Sequence, residues 1–233
     1  MDQEVLKARE HAIKEALKLL RDAEVVGIGT GSTMRQFIEA AHREGALEGA
    51  KLVTSSLDTA LTLKSLGYDV LSPLSVNSLD VYVDSADEVS SDGVMIKGGG
   101  GALTMEKILT RYSKLKVFVV DWRKLREGRL THPIPIEVLT NALTFVLKAL
   151  RDMGLSPSVR DSVRKKGPVI TDSLGVVVDV EMPTNTSLRE LDTRLRDLPG
   201  IVETGIFADL HDVILVGYPD GRVLRIGKGG KLN

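Results

Sequence analysis

Val25-Val26-Gly27-Ile28-Gly29-Thr30-Gly31-Ser32-Thr33-Met34-Arg35-Gln36-Phe37-Ile38 changes its period midway. The first five residues form a short apolar run of strand type. Beyond the turn, Met34, Phe37, Ile38 and Ala41 recur at helical spacing. A strand running directly into a helix is half of a βαβ unit. The same rhythm extends outward. Leu6, Ile13, Leu17 and Leu20 predict a helix over 3–21. Strands are expected at 51–54, 68–71, 79–83 and 116–120, with helices near 57–66 and 102–113. This alternation predicts an α/β fold around a mostly parallel sheet.

The rhythm changes after Asp121. Residues 122–132 are charged and end in His132-Pro133, as a linker would. Strand 134–139, helix 140–153, strands 156–163 and 174–182, helix 187–196 and strand 200–207 follow. That order, β-α-β-β-α-β, is the ferredoxin-like split. A final hairpin, 212–217 and 222–226, is assigned to the first sheet. The expected division is therefore residues 1–127 plus 208–233 as one domain and 128–207 as a smaller α+β domain.

The bulk composition narrows the function. Of 233 residues, 42% are hydrophobic and 27% charged, and the net charge is −1. That balance argues against a nucleic-acid or membrane surface spread over the whole protein. The chain has no cysteine, which excludes disulfides, thiolate nucleophiles and cysteine-ligated metals. The start lacks a signal-peptide pattern, and no run is long enough for a membrane span, so a cytoplasmic location is expected. The four histidines have no zinc-like spacing, and no metal is expected.

Three clusters carry chemistry. In Gly29-Thr30-Gly31-Ser32-Thr33, the turn meets the N-terminus of a helix, where free N–H groups suit an anion such as a phosphate monoester. The third glycine of a dinucleotide fingerprint and the lysine of a P-loop are both missing. A plain tight turn with Ser32 as N-cap explains the segment equally well. Asp84-Ser85-Ala86-Asp87-Glu88 ends an apolar strand, at the sheet edge where ligands sit in open α/β folds. Two carboxylates three apart in a turn can face one cleft, and like charges raise one pKa. Lys97-Gly98-Gly99-Gly100-Gly101-Ala102-Leu103-Thr104-Met105-Glu106 exposes backbone amides between an ammonium and a carboxylate. Lys97 suits an oxyanion, and Glu106 suits a proton beside a carbonyl. A helix N-terminus is expected to keep Glu106 as the carboxylate. Lys124 lies near the same edge. Surface or capping roles remain the alternative for each residue taken alone.

Together these clusters, with Pro133-Ile134-Pro135-Ile136-Glu137-Val138, Phe207-Ala208 and Gly217-Tyr218-Pro219-Asp220-Gly221, resemble the ribose-5-phosphate isomerase A family over nearly the whole chain. The resemblance implies a Rossmann-like domain carrying a smaller ferredoxin-like one. It implies interconversion of ribose 5-phosphate and ribulose 5-phosphate in the pentose phosphate pathway, without metal or organic cofactor. Thr30, Gly31, Ser32 and Thr33 would hold phosphate, assisted by Lys124. Asp84 and Asp87 would act on sugar oxygens. Lys97 would stabilise the enediolate, and Glu106 would move a proton between C2 and C1. Ser85, Ala86, Gly98, Gly99 and Gly100 would complete the substrate pocket. The family's homodimers or homotetramers are the implied assembly. Serine at position 85 departs from the family's usual glycine and would be strained if φ were positive there. Lys7 or Arg9 of the first helix could join the phosphate site. A different sugar-phosphate isomerase, an amino-sugar-phosphate deaminase on a related fold and a sugar-phosphate-sensing regulatory domain are the competing readings. No histidine between His42 and His132 serves a deaminase, and the chain has no room for a DNA-binding module before residue 25.

Overall fold

The computed structural model describes residues 2–163, 166–184 and 186–228. Helix α1 (Gln3–Leu17) leads to β1 (Val25–Ile28), α2 (Ser32–Arg43), β2 (Lys51–Thr54), α3 (Leu57–Ser65) and β3 (Leu79–Asp84). Three short pieces follow: β4 (Glu88–Ser90), β5 (Met95–Ile96) and, after α4 (Leu103–Arg111) and β6 (Ser113–Asp121), β7 (Leu125–Arg126). Then come β8 (Ile134–Val138), α5 (Leu143–Asp152), β9 (Pro157–Val159), β10 (Val176–Val180), α6 (Leu188–Arg196), β11 (Ile201–Thr204), β12 (Ile206–Phe207), β13 (Val213–Gly217) and β14 (Val223–Gly227).

The main sheet has the order β14-β13-β6-β3-β1-β2, parallel except for the closing β13–β14 hairpin. Side chains alternate across it. Val81, Val83, Val117 and Val119 pack under α1 and α2, whereas Tyr82 faces the opposite layer with Leu109 of α4. The crossover from β1 runs to one side and the chain beyond β3 to the other. The carboxyl ends of β1 and β3 thus lie side by side at the topological switch point, where open α/β sheets bind ligands.

The second sheet, β11-β8-β10-β9, is antiparallel throughout. One face, with Ile134, Ile136, Val138, Val178 and Val180, is covered by α5 and α6. This is the expected β-α-β-β-α-β unit, and the terminal hairpin joins the main sheet as expected.

Two expectations need correction. Residues 68–71 make only one bridge, Leu52 to Val70, and no strand, because the segment merely brushes the outer edge of β2. The expected strand 200–207 breaks at Gly205 into β11 and β12. A Cβ there would lie 2.2 Å from the Lys97 carbonyl oxygen, so the corner needs glycine. β12 then joins a third sheet, β12-β5-β4-β7, which part of the supposed linker also enters. Its strands are two or three residues long, too short to show a period.

Candidate active site

The cleft at the switch point is lined by Thr30, Gly31, Ser32, Thr33, Ser85, Ala86, Asp87, Lys97, Gly98, Gly99, Gly100, Glu106 and Lys124. Of the fourteen residues expected in the site, only Asp84 is missing from this lining. At one end, the chain leaves β1 through Gly29 and starts α2 at Ser32. Gly31, at φ 101°, is the N-cap and makes no side-chain cap bond. Ser32 is therefore not the N-cap, and the first turn of α2 presents its N–H groups to the cleft. The Ser32 hydroxyl accepts from an Arg9 guanidinium nitrogen at 3.1 Å, while Arg9 Nε pairs with buried Asp121 at 3.1 Å. Arg9 is the basic residue that α1 delivers to this end; Lys7 is exposed. Its signal was available in sequence, because Arg9 stands on the same buried stripe as Val5, Ala8 and Ala12. Ser56 and Thr59, which sequence reasoning missed, brace the turn. Ser56 donates to the Thr30 hydroxyl at 2.9 Å, and Thr59 donates to the Gly29 carbonyl at 2.9 Å. Lys124 donates to the Ala86 carbonyl at 2.5 Å and lies 3.3 Å from the Ser85 hydroxyl. Its burial lowers the ammonium pKa.

At the other end, β5 delivers Lys97 and α4 delivers Glu106, both almost fully buried. Lys97 Nζ is 2.8 Å from Asp84 Oδ2 and 3.3 Å from Glu106 Oε2, and it donates to the Ser85 carbonyl at 2.5 Å. The ammonium also faces the rings of Phe118 and Phe207, at 5.7 and 5.4 Å from their centroids. Burial opposes the charge, but the carboxylates of Asp84 and Glu106 outweigh it and hold the pKa above lysine's usual range. Glu106 goes the other way. Burial, with Asp84 and Asp87 nearby, pushes its pKa to about 8 against the pull of Lys97. The expectation that the helix N-terminus would keep it ionised fails because desolvation dominates. Glu106 Oε2 is buried and accepts no hydrogen bond among the described residues, its nearest cation being the Lys97 ammonium at 3.3 Å.

The aspartates divide their work. Asp87 lines the cleft and accepts the Gly99 N–H at 2.7 Å. Asp84 corrects the expectation of two carboxylates facing one cleft. It is fully buried behind Lys97, accepting from Tyr82 Oη and the Ser85 N–H at 2.7 Å each. Tyr82 went unread because it sits in the alternating apolar strand β3. Ser85 has no positive φ, so serine there is unstrained. Gly29 is the residue this arrangement cannot replace. A Cβ on it would lie 1.9 Å from Asp84 Cγ, and Asp84 is held by three partners. Gly29→Ala should lose about 1–3 kcal/mol of stability, read as a lower denaturant midpoint.

A buried carboxyl of raised pKa, a facing ammonium and a row of bare amides make up an α/β site of the kind enzymes use for proton transfer on a small anionic molecule. The chain belongs to the ribose 5-phosphate isomerase A (phosphoriboisomerase A) family, whose model matches residues 51–221. The ribose-5-phosphate isomerase A of Aeropyrum pernix is 42% identical over 215 residues, 89% of this chain and 90% of its own length. That of Thermococcus kodakarensis is 39% identical, covering 93% and 96% of the two chains. A solved D-ribose-5-phosphate isomerase in complex with phospho-erythronic acid superposes with a TM-score of 0.90 at 35% identity, covering 97% of this chain and all (100%) of that one. The ribose 5-phosphate isomerase A of Methanocaldococcus jannaschii gives 0.87 at 34% identity, covering 96% and 98%.

Proposed function

We propose that this chain interconverts D-ribose 5-phosphate and D-ribulose 5-phosphate through an enediolate, with Glu106 as the base. One observation carries the reading: Glu106 and Lys97 stand 3.3 Å apart at one end of a cleft whose other end is the amide and hydroxyl cradle of Thr30–Thr33. The phosphate of the substrate takes the cradle, flanked by Lys124 and Arg9. Remote binding of this kind fixes the reacting carbons without taking part in the chemistry. Glu106 removes the C2 proton of the open-chain aldose and returns it to C1. One hydroxyl proton crosses from O2 to O1, so C1 is reduced as C2 is oxidised. The Lys97 ammonium balances the negative oxygen of the enediolate. Asp87 accepts a sugar hydroxyl, and Asp84 holds Lys97 in place. Phospho-erythronic acid in the related solved structure, a phosphorylated four-carbon sugar acid, supports a phosphosugar in this cleft.

On this reading residues 1–127 with 208–233 carry the chemistry and residues 128–207 buttress it. A membrane retains an ionised phosphate ester, so the working compartment is the cytoplasm. Leu57, Leu61, Phe145 and Leu174 are exposed apolar side chains available to a homodimer or homotetramer, which sedimentation would distinguish.

Ketose absorbance after addition of ribose 5-phosphate is the direct test. Turnover is expected; binding without turnover would instead mark a sensor. The pH profile is a second expected outcome. Glu106 must be ionised to accept a proton, and its pKa is pushed up to about 8. Below that value kcat/KM should fall about tenfold per pH unit. A profile flat from pH 6 to 9 would show that the base does not titrate in that range and would overturn the raised pKa of Glu106.

A further inference from the structure

The face of the small sheet turned away from α5 and α6 carries the alternate residues Pro135, Glu137, Val177 and Asp179. This face meets the glycine loop. Cβ atoms built on Gly98 and Gly101 would touch Pro135 and Val177, at 3.2 and 3.8 Å. Glu137 accepts from Thr104, two residues before Glu106. Arg160, just past β9, is gripped by both carboxylate oxygens of Asp179, its Nε at 2.7 Å from Oδ2. So held, one of its terminal nitrogens donates to the Gly98 carbonyl at 2.8 Å and to the Gly99 carbonyl at 3.0 Å.

The carbonyl and N–H of a trans peptide point in opposite directions. The Gly98 carbonyl shares its peptide with the Gly99 N–H. Gripping that oxygen from behind aims the N–H at Asp87 Oδ2, which it reaches at 2.7 Å. The Gly99 carbonyl shares its peptide with the Gly100 N–H, so the same grip turns that N–H toward the cleft that Gly100 lines. The Gly98 carbonyl also accepts the Gly101 N–H at 2.9 Å, but consecutive glycines otherwise restrict their own backbone very little, and Arg160 adds a constraint from outside the loop.

We propose that Arg160, fixed by Asp179, is a positioning residue for the isomerisation: it reaches across from the small sheet and sets the peptide planes of Gly98 and Gly99, and with them the orientation of Asp87. The proposal rests on the isomerase reading. It also gives the small sheet a task in the chemistry. A lysine cannot replace the planar fork, which spans a carboxylate and two carbonyls at once.

Arg160→Ala, Arg160→Lys and Asp179→Asn, with the Arg160→Ala/Asp179→Asn double variant, test it. Each single variant should lower kcat about tenfold to a hundredfold, the scale of a misplaced catalytic group. The double variant should be no worse than Arg160→Ala, since the two residues act as one unit. Inhibition by inorganic phosphate, held at the far end of the cleft, should stay within about threefold of the unmodified protein. Amide exchange at Gly99 and Gly100 should accelerate. Wild-type kcat in Arg160→Lys, or parallel loss of kcat and phosphate inhibition in it, overturns the proposal, even if Arg160→Ala fails to fold. If the unmodified chain shows no turnover, the isomerase reading fails by itself; unchanged exchange at Gly99 in Arg160→Lys would then separately remove the clamp.

Discussion

Glu106→Gln should abolish isomerisation, with kcat falling on the order of 10³-fold or more, the upper part of what a positioned base supplies. The amide matches the carboxyl in shape, so the cleft, the Lys97 site and the phosphate cradle keep their form. Phosphate inhibition should therefore survive. In deuterated water the unmodified enzyme should place deuterium on C1 of the ketose, and Glu106→Gln should not. Stability gives an independent reading. The folded pKa of Glu106 is pushed to about 8, against 4.5 for an unconstrained glutamate. The folded state thus binds a proton that the unfolded chain releases between those values. The contribution of this carboxyl to stability is complete below about pH 4.5 and is lost as the pH rises through 8. Glutamine never ionises, so Glu106→Gln should match the parent in acid and become the more stable of the two toward pH 8. A variant that loses activity and stability together at every pH would mean that Glu106 serves packing alone.

The alternation of strands and helices was legible because the main sheet is built from long periodic segments. Its strands carry unbroken apolar runs such as Val117-Phe118-Val119-Val120, and its helices carry full apolar stripes. The third sheet was not legible, because three of its four strands have only two residues and are defined by their partners. At the site, the glycine loop and the acids near it were visible because four bare residues between Lys97 and Glu106 have no use in an ordinary turn. The difference between Asp84 and Asp87 was invisible. Both look like turn aspartates, and only the positions of Tyr82 and Lys97 make one a buried support and leave the other in the cleft. Arg160 was out of reach for the same reason. It is a basic residue in a polar stretch, and its contacts span 61 and 62 positions of sequence.

Lys97→Met should cost both fold and function, and the two losses can be separated. Among the described residues the ammonium is the only cation paired with Asp84, which is fully buried and otherwise held by a tyrosine hydroxyl and one N–H. Removing one partner of a buried pair leaves an uncompensated charge, at about 3–5 kcal/mol. Methionine keeps the length of the side chain between Phe118 and Phe207, so packing changes little. Removing the second charge as well, in Lys97→Met with Asp84→Asn, should restore most of the stability, because a neutral pair no longer pays desolvation. Activity should not return with it. The enediolate oxygen would still lack its cation, so kcat should remain about 10²–10³-fold below the parent, the loss expected for one oxyanion-stabilising group. Denaturant midpoints of the three proteins and their turnover of ribose 5-phosphate decide the point. Recovery of both in the double variant would show that Lys97 serves only to neutralise Asp84, and the enediolate would need another stabiliser.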